Sequence, residues 1–300
     1  MMDLAFELLE KYKSRIIPLC IALLVVNTIL FSYIISGISN SNKTEFDFLD
    51  VGQGDSELLQ FAVDTNRNRI KVLIDGGPEN GKALTAITSL LSPTDSYIDI
   101  IAITHPQADH IGGLIDVVKK YKVGAFIWAG RENDISIFHE LMDVLKKSDT
   151  KILELSRGDS IKIGANIIRV VSPDGKLLLD KDLNNSSLVL SAKSASTTAL
   201  FTGDIGKTAE LSLSKLSLTK ADIIKVPHHG SRYSVISNFL NAVSPKIAVI
   251  EVGKNSYGHP SEDALNGYAQ IGATIFRTDK NGTLRFIIGD GRNVNVIKNN

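Results

Sequence analysis

The chain has 300 residues, 43% hydrophobic and 22% charged, with 33 basic side chains balancing 33 acidic ones. That length can bury a full core, and the zero net charge excludes a global field that would gather polyanions. The single cysteine, Cys20, excludes an internal disulfide and a zinc held by several thiolates.

The first element in chain order is an apolar segment, Ile16 to Ile38, with no charged side chain. Its roughly 23 residues are enough to cross ~30 Å of hydrocarbon as a helix. Lys11, Lys13 and Arg15 precede it and Asn40-Ser41-Asn42-Lys43 follows. This asymmetry predicts a cytoplasmic N-terminus over 1–15, a transmembrane anchor over 16–38, a tether over 39–44 and an extracytoplasmic domain over 45–300. A cleaved secretory signal, ending near Gly37-Ile38-Ser39, and a buried helix are the alternatives.

Strand candidates rich in Ile, Val and Phe follow: Glu45–Val51, Leu58–Val63, Arg69–Ile74, Ile98–Thr104, Ala125–Ala129, Lys151–Leu155 and Ser160–Ile163. Later ones are Ile167–Val171, Ser187–Ala192, Thr198–Thr202, Ile223–Val226, Ile247–Val252, Thr274–Arg277 and Leu284–Ile288. Helical spacing marks Lys82–Leu91, Leu114–Tyr121, Ile135–Lys147, Thr208–Leu216, Val235–Val243 and Glu262–Ile271. Strands and helices interleave at about two to one, which suits two face-to-face sheets with helices outside. No repeat or low-complexity linker divides the region after residue 44.

The densest chemistry lies in Thr104-His105-Pro106-Gln107-Ala108-Asp109-His110-Ile111-Gly112-Gly113. An apolar run enters it as a buried strand, and the glycine pair opens a helical segment. His105, Asp109 and His110 therefore sit on a turn that can aim them at one point. Imidazole and carboxylate are good ligands for divalent transition metals. Asp75, at the end of Leu73-Ile74-Asp75-Gly76-Gly77, orients a ligand or caps a turn. Asp204 ends the apolar run Ala199-Leu200-Phe201-Thr202-Gly203, where a carboxylate can ligate one cation or bridge two. Ile223 to Ser231 holds Lys225, His228, His229 and Ser231. Adjacent histidines diverge, so His228 is expected as the ligand and His229 as a supporting or substrate-facing ring. Lys225 and Ser231 face substrate or belong to the turn. His259, in Asn255 to Pro260, can hold an anionic substrate group or stabilise its transition state. His139 reads as a helix-face residue.

Together these segments resemble the metallo-β-lactamase-fold hydrolases, and within them the extracellular C-terminal domain of the ComEC competence proteins. The matching pieces are Phe48 to Ser56, Leu73 to Gly77, Thr104 to Leu114, Asn184 to Leu190, Phe201 to Ile205, Lys225 to Ser231 and Tyr257 to Pro260. The resemblance implies an α/β (α+β) fold, a four-layer αββα sandwich with a metal site at one edge between the sheets. Against the pattern H-x-H-x-D-H, His105, Asp109 and His110 match, and Gln107 replaces the second His. Asp204 matches the bridging Asp and His228 the final His. Asn184-Asn185-Ser186-Ser187 stands where a further His belongs. One metal position then has Asp109, His110, Asp204 and His228. The other has His105 and Asp204, with Gln107 and Asn185. The expectation is one firmly held zinc and a second, doubtful site that suits manganese better.

The implied reaction is metal-dependent hydrolysis of phosphodiesters such as DNA. The metal lowers the pKa of a bound water to give hydroxide, and Asp204 or Asp109 positions it. His259, with His229 or Lys225, offsets phosphoryl charge, and Asp75 steadies the ligands. One candidate span does not predict an import pore, and no protein partner follows from the sequence. A cell-wall or small-molecule phosphoesterase and a non-catalytic binding domain, the latter motivated by Gln107, are the alternatives.

Overall fold

The structure, a computed structural model, describes residues 13, 17–30, 43–63, 69–216, 220–289 and 294–299. The chain divides into two compact units, Met1–Asn42 and Lys43–Asn300. In the first, residues 17–30 form helix α1, whose apolar side chains, Leu19 and Leu24 among them, are exposed. Among the described residues no helix is long and apolar enough to cross a membrane. Residues 16 and 31–38 of the expected anchor lie outside the described residues, as do 1–12, 14–15 and 39–42.

The second unit runs β1 (Thr44–Phe48), β2 (Glu57–Ala62), β3 (Arg69–Ile74), α2 (Lys82–Leu90), β4 (Tyr97–Ala102), α3 (Ala108–Ile111), α4 (Leu114–Lys120), β5 (Lys122–Trp128), α5 (Ser136–Lys147), β6 (Lys151–Glu154), β7 (Ser160–Ile163) and β8 (Asn166–Ser172). It continues α6 (Gly175–Leu178), β9 (Val189–Ser194), β10 (Thr197–Phe201), α7 (Lys207–Leu213), β11 (Ile223–Lys225), α8 (Ser237–Val243), β12 (Ile247–Ile250), α9 (Glu262–Gln270), β13 (Thr274–Arg277), α10 (Thr278–Asn281), β14 (Thr283–Ile288) and β15 (Val294–Asn299). The first sheet has the order β15-β14-β1-β2-β3-β4-β5-β6 and the second β13-β12-β11-β10-β9-β8-β7. In each sheet one half is antiparallel and the other parallel: β3 to β6 in the first, β10 to β13 in the second.

Three apolar clusters make the layers. Period-2 alternation puts Phe46 and Phe48 of β1, Leu59 and Phe61 of β2, Phe201 of β10 and Phe286 of β14 between the sheets. On the first sheet's other face, Leu58, Leu73, Ile101 and Phe126 pack beneath α2, α4 and α5. Leu200, Ile224, Ala248 and Ile250 of the second sheet pack beneath α7, α8 and α9. The result is the αββα order that the interleaved pattern suggests. The rings of Phe48 and Phe201 stack at 5.7 Å across the two sheets. Truncating a buried phenylalanine to alanine costs about 3–5 kcal/mol, and this one lies three residues before Asp204.

Strand β15 departs from the sequence reading. Only Val294 and Val296 of it reach the inter-sheet core, and polar residues alternate with them, so it lacks the apolar density of the other strands.

Candidate metal centre

The site lies where the parallel strands of both sheets end, the position at which open α/β sheets bind ligands. Asp75 follows β3, and Thr104 and His105 follow β4. Asp204 follows β10, His228 and His229 follow β11, and Glu251 follows β12. Asp55 precedes β2, which runs antiparallel to β3 and so starts at the same edge. The turn after β4 can pack against the turn after β3 because Gly113 carries no side chain. A Cβ there would stand 2.2 Å from the carbonyl oxygen of Gly76. Asp75, His228 and His229 all have left-handed backbone (φ 54°, 50° and 53°), which costs side chains of this kind energy and concentrates at functional sites.

Hydrogen bonds fix the direction of three imidazoles. His110 Nδ1 is 2.8 Å from Asp75 Oδ2, and a carboxylate only accepts, so Nδ1 carries the proton. His229 Nδ1 donates to the Glu251 carbonyl at 2.9 Å. Thr104 Oγ1 spends its one proton on Asp75 Oδ2 at 2.6 Å, so it accepts from His105 Nδ1 at 3.0 Å. Nε2 of all three rings is left buried with no hydrogen-bond partner. Two of them face Asp204 Oδ2, His110 at 3.4 Å and His229 at 3.3 Å. His229 Nε2 is also 3.6 Å from Asp109 Oδ2. Asp109, His110 and His229 can bring ligand atoms within 4.8 Å of one another, and so can His105, His110 and Asp204.

Lone pairs facing carboxylate oxygens require a positive charge between them. The titration behaviour has the same origin. Burial opposes charge on His110 and His229, yet Asp204 and Asp55 outweigh it and push both rings well above the ordinary histidine range. Burial raises the Asp204 carboxyl, but His229, His110 and Lys225 hold it well below the usual range. Burial, with His110 beside it, takes His105 down to about 3, leaving a neutral ring. Protons occupy places that a divalent cation takes by displacing them. The donor set is imidazole nitrogen with carboxylate oxygen, and it fits zinc or manganese.

A cavity of about 410 Å³ opens onto the cluster, lined by Gln53, Gln107, Asp109, Asp204, His228, His229, Tyr257 and His259 among others. A larger one of about 590 Å³ between α8 and α9 holds no such cluster.

Sequence comparison then settles the kinship. The profile of the metallo-beta-lactamase superfamily matches residues 60–253. The chain belongs to that superfamily. ComE operon protein 3 of Bacillus subtilis (strain 168) is 30% identical over 267 residues, covering 82% of this chain and 33% of that protein. Competence protein ComA of Neisseria gonorrhoeae is 30% identical over 253 residues, covering 83% and 33%. The chain thus spans about a third of the length of these ComEC-family relatives. The metallo-beta-lactamase fold protein YhfI of Bacillus subtilis superposes with a TM-score of 0.53 at 9% identity, over 81% of this chain and 99% of YhfI. That likeness concerns the fold alone.

Within this metallo-beta-lactamase frame the structure brings His105, Asp109, His110 and Asp204 together as expected. It corrects the fifth member. His229, 2% exposed, points into the cluster, whereas His228 is 29% exposed and its Nε2 lies 3.9 Å from Asp204. Two successive left-handed residues turn the rings apart, to 72° between planes, and send His228 to the cavity wall. Asn185 does not reach the cluster. Its Oδ1 accepts from the N–H groups of Gly206 and Ala209 at the start of α7, while Asn184 accepts from Gln107 Nε2 at 2.7 Å. Lys225 is fully buried and absent from the cavity lining, so it does not face substrate. Ser231 is buried and its hydroxyl accepts from Tyr233 N–H within the turn. Asp75 supports His110, and His259 and Gln107 line the cavity, as expected. The sequence reading missed Glu57, Glu251, Gln53 and Tyr257. It also assigned no role to Asp55, although the run Gly52-Gln53-Gly54-Asp55-Ser56 stood out. Asp55 precedes β2 instead of ending an apolar run, as Asp75 and Asp204 do, so that signal did not reach it.

Proposed function

We propose that this chain is a membrane-anchored, extracytoplasmic metal-dependent hydrolase, a phosphodiesterase or nuclease of the ComEC type. One observation carries the metal-dependent part: three anchored imidazoles with unpartnered Nε2 atoms converge with Asp109 and Asp204, and Asp109, Asp204 and His229 of that cluster line one cavity. Asp109, His110, Asp204 and His229 would hold one divalent ion. His105, Asp204 and Gln107 are the weaker set, because a neutral amide oxygen is a weaker transition-metal ligand than imidazole or carboxylate. A bound divalent ion supplies a water acidic enough to attack at neutral pH, and a Lewis acid for the phosphoryl oxygen. Asp109 and Asp204 orient the attacking water. His259 faces the same cavity, its ring 5.5 Å from that of His228, and donates an N–H to the phosphoryl oxygen as charge builds there.

The phosphodiester and DNA assignment draws support from kinship with proteins named for competence. The anchor draws support from the uncharged run 16–38 and the basic flank before it. The test is hydrolysis of single- and double-stranded DNA with Zn²⁺ or Mn²⁺, beside Asp109→Ala and His229→Ala. Activity that needs the ion and vanishes in both variants supports the reading. Equal activity in all three proteins ends it. Turnover of a small phosphodiester but not of DNA keeps the chemistry and moves the substrate. His259→Ala should lower kcat about 100- to 1,000-fold while leaving Zn²⁺ affinity unchanged. For the anchor, protease added to intact spheroplasts should digest 45–300; protection would place the domain inside.

A further inference from the structure

Lys225 is fully buried directly behind Asp204, and no step of the reaction uses it. Its ammonium has three N–H donors and meets three oxygens. It donates to the Gly203 carbonyl at 2.9 Å and to Asp204 Oδ1 at 3.3 Å, and it contacts Asp55 Oδ2. Thr202 Oγ1 donates to the Lys225 carbonyl at 2.8 Å and fixes the backbone. The Gly203 carbonyl is aimed by a left-handed glycine (φ 55°), and a Cβ there would stand 2.7 Å from Thr104 Cβ. Asp204 is thereby divided: Oδ1 goes to the lysine, and Oδ2 alone faces the imidazoles of His110 and His229. Asp55 is divided too, with Oδ2 on Lys225 and Oδ1 3.2 Å from His229 Nδ1. Asp55, Asp75, Asp109 and Asp204 gather in one small volume. Lys225 pairs with two of these four carboxylates.

We propose that Lys225 is a positioning residue that acts as an internal counter-cation. It lets the carboxylate cluster fold before a divalent ion arrives, and it reserves Asp204 Oδ2 for that ion. Without the ammonium, Asp55 and Asp204 would keep two buried, unpaired oxygens, a strongly destabilising condition. An ion held on the far side of Asp204 would relieve part of it. A chain lacking this charge should therefore depend on metal for its stability far more than the parent does. The inference rests on the metal reading of the cluster and not on any substrate.

Thermal unfolding of the full chain, with chelator and with Zn²⁺, tests it on Lys225→Met and Lys225→Ala. Lys225→Met keeps the length and removes the charge. Its Tm in chelator should fall by about 10 °C or more, and Zn²⁺ should recover over half of the loss, a larger shift than in the parent. n-Propylammonium should raise the chelated Tm of Lys225→Ala, and n-propanol should not. Both should leave the parent unmoved. An equal loss with and without Zn²⁺, together with no response to propylammonium, makes Lys225 a packing residue and overturns the proposal; so does no loss at all. If Lys225→Met does not fold, refolding of Lys225→Ala with and without propylammonium decides the matter. A parent Tm indifferent to Zn²⁺ strikes at the metal centre itself, and the propylammonium arm still judges Lys225.

Discussion

The first sheet delivers His105, Gln107, Asp109 and His110 from one turn after β4, whereas the second delivers Asp204, His229 and Glu251 from the ends of three parallel strands. The two sides also hold their groups differently. On the first, a chain of short hydrogen bonds, Thr104 to Asp75 and Asp75 to His110, orients the rings. On the second, buried charge does the work, with Lys225 between Asp204 and Asp55, the latter reaching over from the start of β2. The first side is specified locally. The second exists only once β10, β11 and β12 lie side by side.

The largest effect should come from breaking the second side at its ring. His229→Ala should lose Zn²⁺ affinity by more than about 100-fold, beyond what removal of a supporting residue costs, while His228→Ala keeps its ion. Equilibrium dialysis of the two variants reads this directly, and the reverse order would restore His228 as the ligand. On the first side, Asp75→Asn leaves His110 in place but weakens its anchor. Its Zn²⁺ affinity should fall about 10- to 100-fold. Gln107→Asp sharpens the contrast between the two ligand sets. It replaces an amide with a strong oxygen ligand and should add one equivalent of bound Mn²⁺, measured by metal analysis after gel filtration.

The effect most remote from the ion concerns Glu210. Burial pushes its carboxyl up to about 8, although its Oε2 accepts the Ile236 N–H at 3.0 Å. The folded chain thus holds a proton that the unfolded chain releases near the ordinary value of 4.5. Between those values the native state binds more protons, so stability is full below about 4.5, declines as pH rises, and levels off above about 8. Glu210→Gln should remove that slope. Above pH 8 it should be the more stable protein by a few kcal/mol, on the order of 1.4 kcal/mol per pH unit of the window. Urea unfolding across pH checks this, and parallel curves for parent and variant would refute it.

The same contrast explains what the amino-acid order discloses. Thr104 to Gly113 carries its cluster residues within one turn, so His105, Asp109 and His110 could be named from it as members of one group. Phe201 to Asp204 was legible as an apolar run ending in a carboxylate. The choice between His228 and His229 was not, because it depends on two left-handed residues in succession, a conformation that neither side chain advertises. Asn185 was misplaced beside the second ion for a related reason: the short turn over Leu183–Ser186 decides which amide meets Gln107 and which caps α7. Lys225 reads as a cation beside a phosphate site until its complete burial is seen. In the fold, two facing sheets with helices outside were legible from the interleaving of strands and helices, and the resemblance implied the αββα order, while β15 escaped because half of its side chains are polar.

Asn255 ties down the loop that carries Tyr257 and His259. Its amide nitrogen donates to the carbonyls of Gly253 and His259, and its oxygen accepts from the N–H groups of Tyr257 and His259. Four bonds from one side chain leave that rim no hinge on which to swing. The mouth therefore works as a fixed gauge: a ligand would have to thread past Tyr257 and His259 as they stand to reach the floor.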